Sequence, residues 1–435
     1  MYRKLKECKS IREIYEVIPE IFYEKCSVGI IIAMFFMIIF ETITRFLIRK
    51  ASFNEMVNYY YIIGYIAIVF GIIYIGSRIC KNNILDIKKY FIHNIWEIFL
   101  IVLLILTFVS MLMSGNVKYS FFGNWFRQNG FRSYMIYTAM YICGKNVRSI
   151  KSKQIILWIF AISSMIQNSL IISEQMGFYG ARLGAFYNRN HCGYFLCMAI
   201  FAIIGLIENE KKLLLKVLLG VFYITNIWCL IINDTFGSFL AVIFGLIFYS
   251  ILEIVKYKKV KLSLIICILM FALTCIVTDC KTKIVSRNFG ITTEDIKSIS
   301  DKNENAGYAG SGRWELWIDS VTAMKKNPIW GLGPDNLTNH YFDEKRLIEP
   351  HNEFLQIGAE YGILALICYV MAIISLLIAK MKVLKKSGNY ITVNGSIVAA
   401  YIASAFFGVM IFYTAPFYYC FLGILSSEKN DLNKP

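Results

Sequence analysis

The chain is poor in charge, proline and histidine. Only 17% of its 435 residues are Asp, Glu, Lys or Arg, and it holds six prolines and four histidines. A soluble domain carries about 25% charged residues, so the deficit excludes an ordinary water-soluble globule. No Walker loop, GxGxxG or HExxH occurs, and no paired His/Cys ligand cluster. Internal repeats are also absent. These absences leave nucleotide use, a metal site and a cofactor without support. The twelve cysteines include no CxxC pair, and most, such as Cys143, Cys229, Cys267 and Cys368, sit inside apolar runs. They read as small packing residues and not as a disulfide framework.

Hydrophobicity is what the chain has in quantity, at 57% of residues. Apolar runs of about the 20 residues that span a bilayer fall near 28–47, 58–79, 92–113, 121–143, 154–173, 190–207, 213–232, 235–255, 262–278, 352–379, 392–413 and 415–426. They are continuous and not alternating, which argues against a barrel. The pattern predicts an all-α polytopic membrane protein of about twelve transmembrane helices. Its segments are a cytoplasmic stretch 1–27, spans over 28–278, a long outer loop 279–350, spans over 351–426 and a cytoplasmic tail 427–435. Met1–Lys25 is basic and has no short apolar region with a cleavage site, so it does not read as a signal peptide. The formal charge of +16 fits Lys/Arg-rich inner loops and not nucleic acid: Lys and Arg gather at 78–89, 145–153, 211–216, 256–261 and 380–386. Arg45, Arg49 and Lys50 in the first outer loop run against that pattern, and a snorkelling role at the membrane surface is expected for them.

In the long outer loop, Thr292–Gly312 is polar and glycine-rich and reads as mobile. Arg313–Met324 reads as a helix with Trp314, Trp317, Val321 and Met324 on one face. Asn327-Pro328 should end it, and Gly331-Leu332-Gly333-Pro334 should turn. Pro350 then suits the first turn of a helix running from His351. On such a helix Glu360 falls about 180° round from His351 and roughly 13 Å deeper, so the two do not act as a pair. By position alone, His351 is either a general base or an interfacial histidine bonded to backbone. Glu360 reads as bonded support, with Gly358 and Gly362 allowing close helix approach. Arg182, Arg189 and Arg313, with Arg127 and Arg132, are cations near the same level, and arginine forks suit phosphate.

Four stretches together resemble the O-antigen ligase/polymerase superfamily of membrane glycosyltransferases. Arg182-Leu183-Gly184-Ala185-Phe186-Tyr187-Asn188-Arg189-Asn190 is similar to its R-x-x-G-x-F-x-N-x-N segment with one spacer residue missing. Asp234-Thr235-Phe236-Gly237 lies where Ser-Arg-Gly is common. Ser311-Gly312-Arg313 through Asn327-Pro328-Ile329-Trp330-Gly331-Leu332-Gly333-Pro334 resembles its SGR…NPxxGxGP segment, and His351-Asn352-Glu353-Phe354-Leu355 through Glu360-Tyr361-Gly362 its HNxxLxxxxExG motif. Phe236 replaces the usual arginine, and Arg189, standing where proline is common, is expected to supply the missing cation.

The resemblance implies a GT-C-like fold and metal-independent, inverting transfer of a glycan from a polyprenyl diphosphate to a sugar hydroxyl. His351 would be the base. Arg182, Arg189 and Arg313 would hold the diphosphate, while Trp314, Trp317 and Tyr341 would contact sugar. Glu360, Asn352 and Asn190 would support. It also implies a multi-pass protein of the inner (plasma) membrane with its site facing the periplasm or cell exterior. Membrane lipid and the lipid-linked donor and acceptor would be its partners, beside a flippase and a chain-length regulator. The favoured activity is polymerisation of surface-polysaccharide repeat units. The alternatives are ligation of the finished glycan to lipid A core or a protein, and, in another class, a flippase for the same lipid-linked sugar.

Overall fold

A computed structural model describes residues 8–48, 53–82, 84–178, 184–301, 307–342 and 345–428. In chain order its helices are α1 (Ile11–Val17), α2 (Glu20–Ile48), α3 (Phe53–Lys81), α4 (Ile84–His93), α5 (Ile95–Met113), α6 (Val117–Phe122), α7 (Phe131–Lys145), α8 (Ile150–Gln175) and α9 (Arg189–Asn209). There follow α10 (Leu213–Ile232), α11 (Phe236–Tyr257), α12 (Leu262–Thr282), α13 (Ile284–Ser300), α14 (Arg313–Lys326), α15 (Glu353–Tyr361), α16 (Ile363–Val383), α17 (Tyr390–Ala405) and α18 (Ala415–Ser427). A two-residue ribbon, β1 (Tyr341–Phe342) against β2 (Lys345–Arg346), is antiparallel. The protein is an all-helical, multi-pass membrane protein.

Nine helices among the described residues, α2, α3, α5, α8 to α12 and α16, are long and apolar enough to cross a membrane. That is fewer than the twelve runs suggested, and each shortfall has a local cause. The fourth run, 121–143, is divided: α6 and a loop precede α7, which has 15 residues. The tenth, 352–379, is broken at Gly362. The eleventh, 392–413, stops being helix at Ala405. α17 and α18 are apolar but short, and nearly every residue in them is buried. The first span begins at Glu20, eight residues ahead of its apolar run.

α9 is the axis of the bundle. Its sequence is apolar on every side, which suits a helix enclosed by protein, and Cys192 through Ile207 are all buried. It packs against α8, α10, α11 and α17. α18 fills the neighbouring space between α7 and α17.

At one end of the bundle the connections are elaborate; at the other they are the basic loops. Arg45 does not snorkel outward: its Nε donates to Glu41 at 2.8 Å and its Nη1 to the Gly184 carbonyl at 2.6 Å, beneath the Tyr187 ring. The exception to the charge pattern is thus an internal ion pair. Arg49 and Lys50 lie outside the described residues.

The long loop is more ordered than its composition implied. The first part of the stretch read as mobile, 292–300, belongs to α13, which follows α12 through Lys283 in the left-handed region (φ 56°), and 302–306 lie outside the described residues. Asp279 caps its start, accepting from Val285 and Ser286. α14 forms where expected and ends at Asn327. Gly331 (φ 65°) and Gly333 (φ 97°) make the turn, and the N–H groups of Leu332 and Gly333 donate to the carbonyls of Ala359 and Glu360 at the end of α15.

The most consequential difference lies at 350–362. Helix does not run from His351: the Asn352 side chain is the N-cap, accepting from Phe354 and Leu355, and α15 begins at Glu353. Nor does helix run on into the membrane. Gly362 sits at φ 91°, and a Cβ there would come within 2.1 Å of the Ile329 carbonyl oxygen. It is a break held against the 327–334 turn, not a helix-packing glycine. Gly358 does face a neighbour closely, but that neighbour is the flexible Met324 side chain. α15 is therefore a separate short element in front of span α16.

Candidate functional site

His351 is fixed from both sides. The Trp317 indole donates to the Pro350 carbonyl at 2.9 Å, and Asn352 is committed to capping α15. Between them His351 takes φ 47°. A non-glycine residue in the left-handed region costs about 1–2 kcal/mol, and such strain persists where surrounding structure over-determines it. The ring is largely enclosed. Burial, reinforced by the Arg313 charge, brings it from its ordinary value down to about 4. It is thus neutral at pH 7 and able to accept a proton.

Arg313 opens α14, after Ser311 and Gly312, both at positive φ. It is half-buried, and burial lowers its own guanidinium, with Tyr194 opposing. Its guanidinium makes no hydrogen bond or ion pair among the described residues. Cations of this kind usually have a carboxylate partner when enclosed; this one faces a neutral histidine. Trp314 is half-buried with its ring 6.3 Å from that of Trp317. Since the Trp317 indole N–H holds Pro350, that ring serves first as a post for the histidine segment.

The other predicted residues fall in several places. Arg182 lies outside the described residues, as does the side chain of Tyr341. Arg189 is the exposed first residue of α9, and its carbonyl accepts from the Asn233 amide (2.8 Å) and the Thr235 hydroxyl (3.3 Å). This joins the 184–190 segment to the 233–236 turn. Capping there is done by Asn188, whose side chain accepts from the Asn190 N–H at 2.8 Å, so Asn190 is held and not the holder. Phe236 is an aromatic wedge, packed on Phe239 and on Phe289 of α13. The nearby Arg287 is taken up by Asp234 at 2.7 Å.

Arg127 and Arg132 are not free cations. Arg132 lies over the Tyr61 ring at 3.5 Å. Arg127 pairs with Asp335 at 2.6 Å and Glu349 at 3.3 Å, and its Nη2 donates to Thr338. Asp335 also accepts from the backbone of Asn124 and Asn129. Glu360 completes the group, with the three carboxylates within 4.8 Å of one another. That donor set is of a size to hold a metal, but a guanidinium already serves it. Burial pushes Glu349 up, against the pull of Arg127, and pushes Glu360 well up, with Glu349 and Asp335 adding to the effect. Arg127 is the cation that faces the group. Glu360 also accepts from the Tyr361 hydroxyl at 3.0 Å. This brace stands at the C-terminal end of α15, and His351 precedes its N-terminal end.

Glu353 heads α15 inside the bundle, with the Tyr369 and Tyr401 hydroxyls donating at 2.5 and 3.0 Å; burial pushes it up to about 7. Tyr194 and His191 on α9 also border the site. Both are buried; Tyr194 lies within electrostatic reach of Arg313 and His191 within that of His351. Sequence reading passed over them. The available signal was two polar rings one helical turn apart on an otherwise apolar helix, directly after Asn190.

Residues 221–370 match a family model described as O-antigen ligase. A protein of Haemophilus influenzae, itself described as uncharacterized, is 26% identical over 146 residues, 31% of this chain. The match covers 36% of that relative's own length. The family match takes in Phe236, Arg313, Trp317, His351 and Glu360, and leaves Arg182, Arg189 and His191 outside it.

Proposed function

We propose, from the premise that this chain belongs to the O-antigen ligase/polymerase superfamily, that it polymerises lipid-linked repeat units of a bacterial surface polysaccharide. The donor is an oligosaccharide on a polyprenyl diphosphate, and the acceptor is a sugar hydroxyl on a second lipid-linked unit. The observation that carries this reading is a strained, neutral His351 beside Arg313, whose guanidinium has no counter-ion among the described residues. A base without its proton beside a cation without its anion suits a reaction that releases a proton and an anionic leaving group.

The chemistry follows from those two groups. The acceptor oxygen attacks the anomeric carbon from the face opposite the diphosphate, so configuration inverts. The new C–O bond forms as the bond to diphosphate breaks, and the diphosphate leaves with the electron pair. His351 takes the hydroxyl proton. Arg313, with Arg182 and Arg189, meets the charge that develops on the leaving oxygen. The protein would sit in the plasma membrane with this end facing outward, supplied by a flippase and paired with a chain-length regulator.

His351→Gln removes the base while keeping a polar side chain. With lipid-linked repeat units extracted from a strain lacking the gene, purified His351→Gln should transfer glycan roughly 10²- to 10⁴-fold more slowly and remain monodisperse in detergent. Near-normal transfer would overturn the role. Ligation to another acceptor is the second reading, favoured by the description of the matching family. Surface glycan from the deletion strain separates the two: single attached units mean a polymerase was lost, and accumulated long lipid-linked chains mean a ligase.

A further inference from the structure

The reaction as written gives His191 no part, although it is an expensive residue where it stands. It is 3% exposed, and its Nδ1 has no hydrogen-bond partner among the described residues. A buried polar atom left unmet costs stability, so its retention calls for a use.

Two routes tie His191 to the short helix behind His351. Tyr194, one turn along α9, packs on Tyr401 with ring centres 5.2 Å apart, and the Tyr401 hydroxyl donates to Glu353 of α15. The His191 ring itself lies 5.6 Å from that of Tyr413. Tyr413 belongs to the 406–414 connection, where the Met410 N–H donates to Gln356 of α15 at 3.0 Å. His191 is also within electrostatic reach of His351.

His351 leaves a need that a neutral imidazole can meet. On taking the acceptor proton it becomes a cation in an enclosed place beside Arg313. We propose that His191 is a positioning residue that stays neutral and offers a nitrogen lone pair to the His351 imidazolium, directly or across one water. The proton rests on His351 until solvent takes it, and His191 gains and loses nothing. The inference rests on His351 being the base.

His191→Phe keeps a ring against Tyr413 and removes both nitrogens. In the same transfer assay its kcat should fall about tenfold or more as the base weakens, with KM little changed. The acid limb of kcat should move to lower pH. A wild-type kcat and pH profile would overturn the proposal, as would a loss confined to KM. Where His191→Phe does not fold, His191→Asn and His191→Gln decide between them. One amide matching the working nitrogen, active while the other is not, supports it; both alike, active or dead, overturn it. A fully active His351→Gln removes the base and this inference together, whereas an inactive His351→Gln with normal His191→Phe removes the inference alone.

Discussion

At the scale of single residues, His351 carries an apparent contradiction. Burial and Arg313 make it neutral, which a base requires, but they also make it a weak base, with its proton affinity down to about 4. The two are reconciled if the anionic substrate changes the balance. A diphosphate against Arg313, as proposed, would cancel the repulsion and favour the imidazolium, so the group would rise on binding. Activity needs the neutral ring, and is therefore lost as pH falls through its pKa. The acid limb of kcat/KM, which reports the free enzyme, should lie near pH 4; that of kcat, which reports the complex, should lie higher. Coincident limbs in a full pH–rate series would show that Arg313 and the diphosphate do not meet. In the sequence, Arg313 and His351 stood out through the SGR and HNxxL resemblance and not through composition, and the structure places each within electrostatic reach of the other. The left-handed turn at His351 was not legible, because Pro350 suits a helix start and only the competing Asn352 cap moves that start two residues on. His191 was hidden by its setting in an apolar run.

Elements tell a different story about legibility. Periodicity found α14 and its end, since Asn327-Pro328 is a strong local signal. It merged α15 and α16, because Gly362 inside an apolar run looks like a packing residue. Only the third dimension reveals the Ile329 carbonyl where a Cβ would go. Gly362→Ala adds that atom in a backbone conformation that disfavours it. It should destabilise the protein by about 2 kcal/mol or more, seen as a lower thermal midpoint in detergent. A midpoint equal to wild type would mean the break relaxes into continuous helix. The composition of Thr292–Gly312 suggested mobility, yet α13 forms over its first part, with Asp279 at its start and Phe289 against Phe236.

For the whole molecule, hydropathy gave the class correctly, and nine of the described helices are long and apolar enough to cross a membrane, with two shorter apolar helices beside them. α17 and α18 are apolar because they are buried in protein, a reason that a run of apolar residues cannot distinguish from lipid exposure. What locks the extramembrane segments to the bundle is the Arg127 brace, which joins the 124–129 loop, the 331–349 segment and the end of α15. Removing one partner of a buried pair costs about 3–5 kcal/mol. Arg127→Met should therefore lower the thermal midpoint strongly, and adding Asp335→Asn should recover part of it, because the stranded charge is gone. Additive losses in that double-mutant cycle would deny the coupling. Because α15 is tied at both ends, through Glu353 and Gln356 to the bundle and through Glu360 to the brace, its length is not free. One inserted residue would turn everything beyond it by about 100° and detach one end or the other. The nine residues between the Asn352 cap and Gly362 therefore form a ruler, which tolerates exchange of side chains but no change of length.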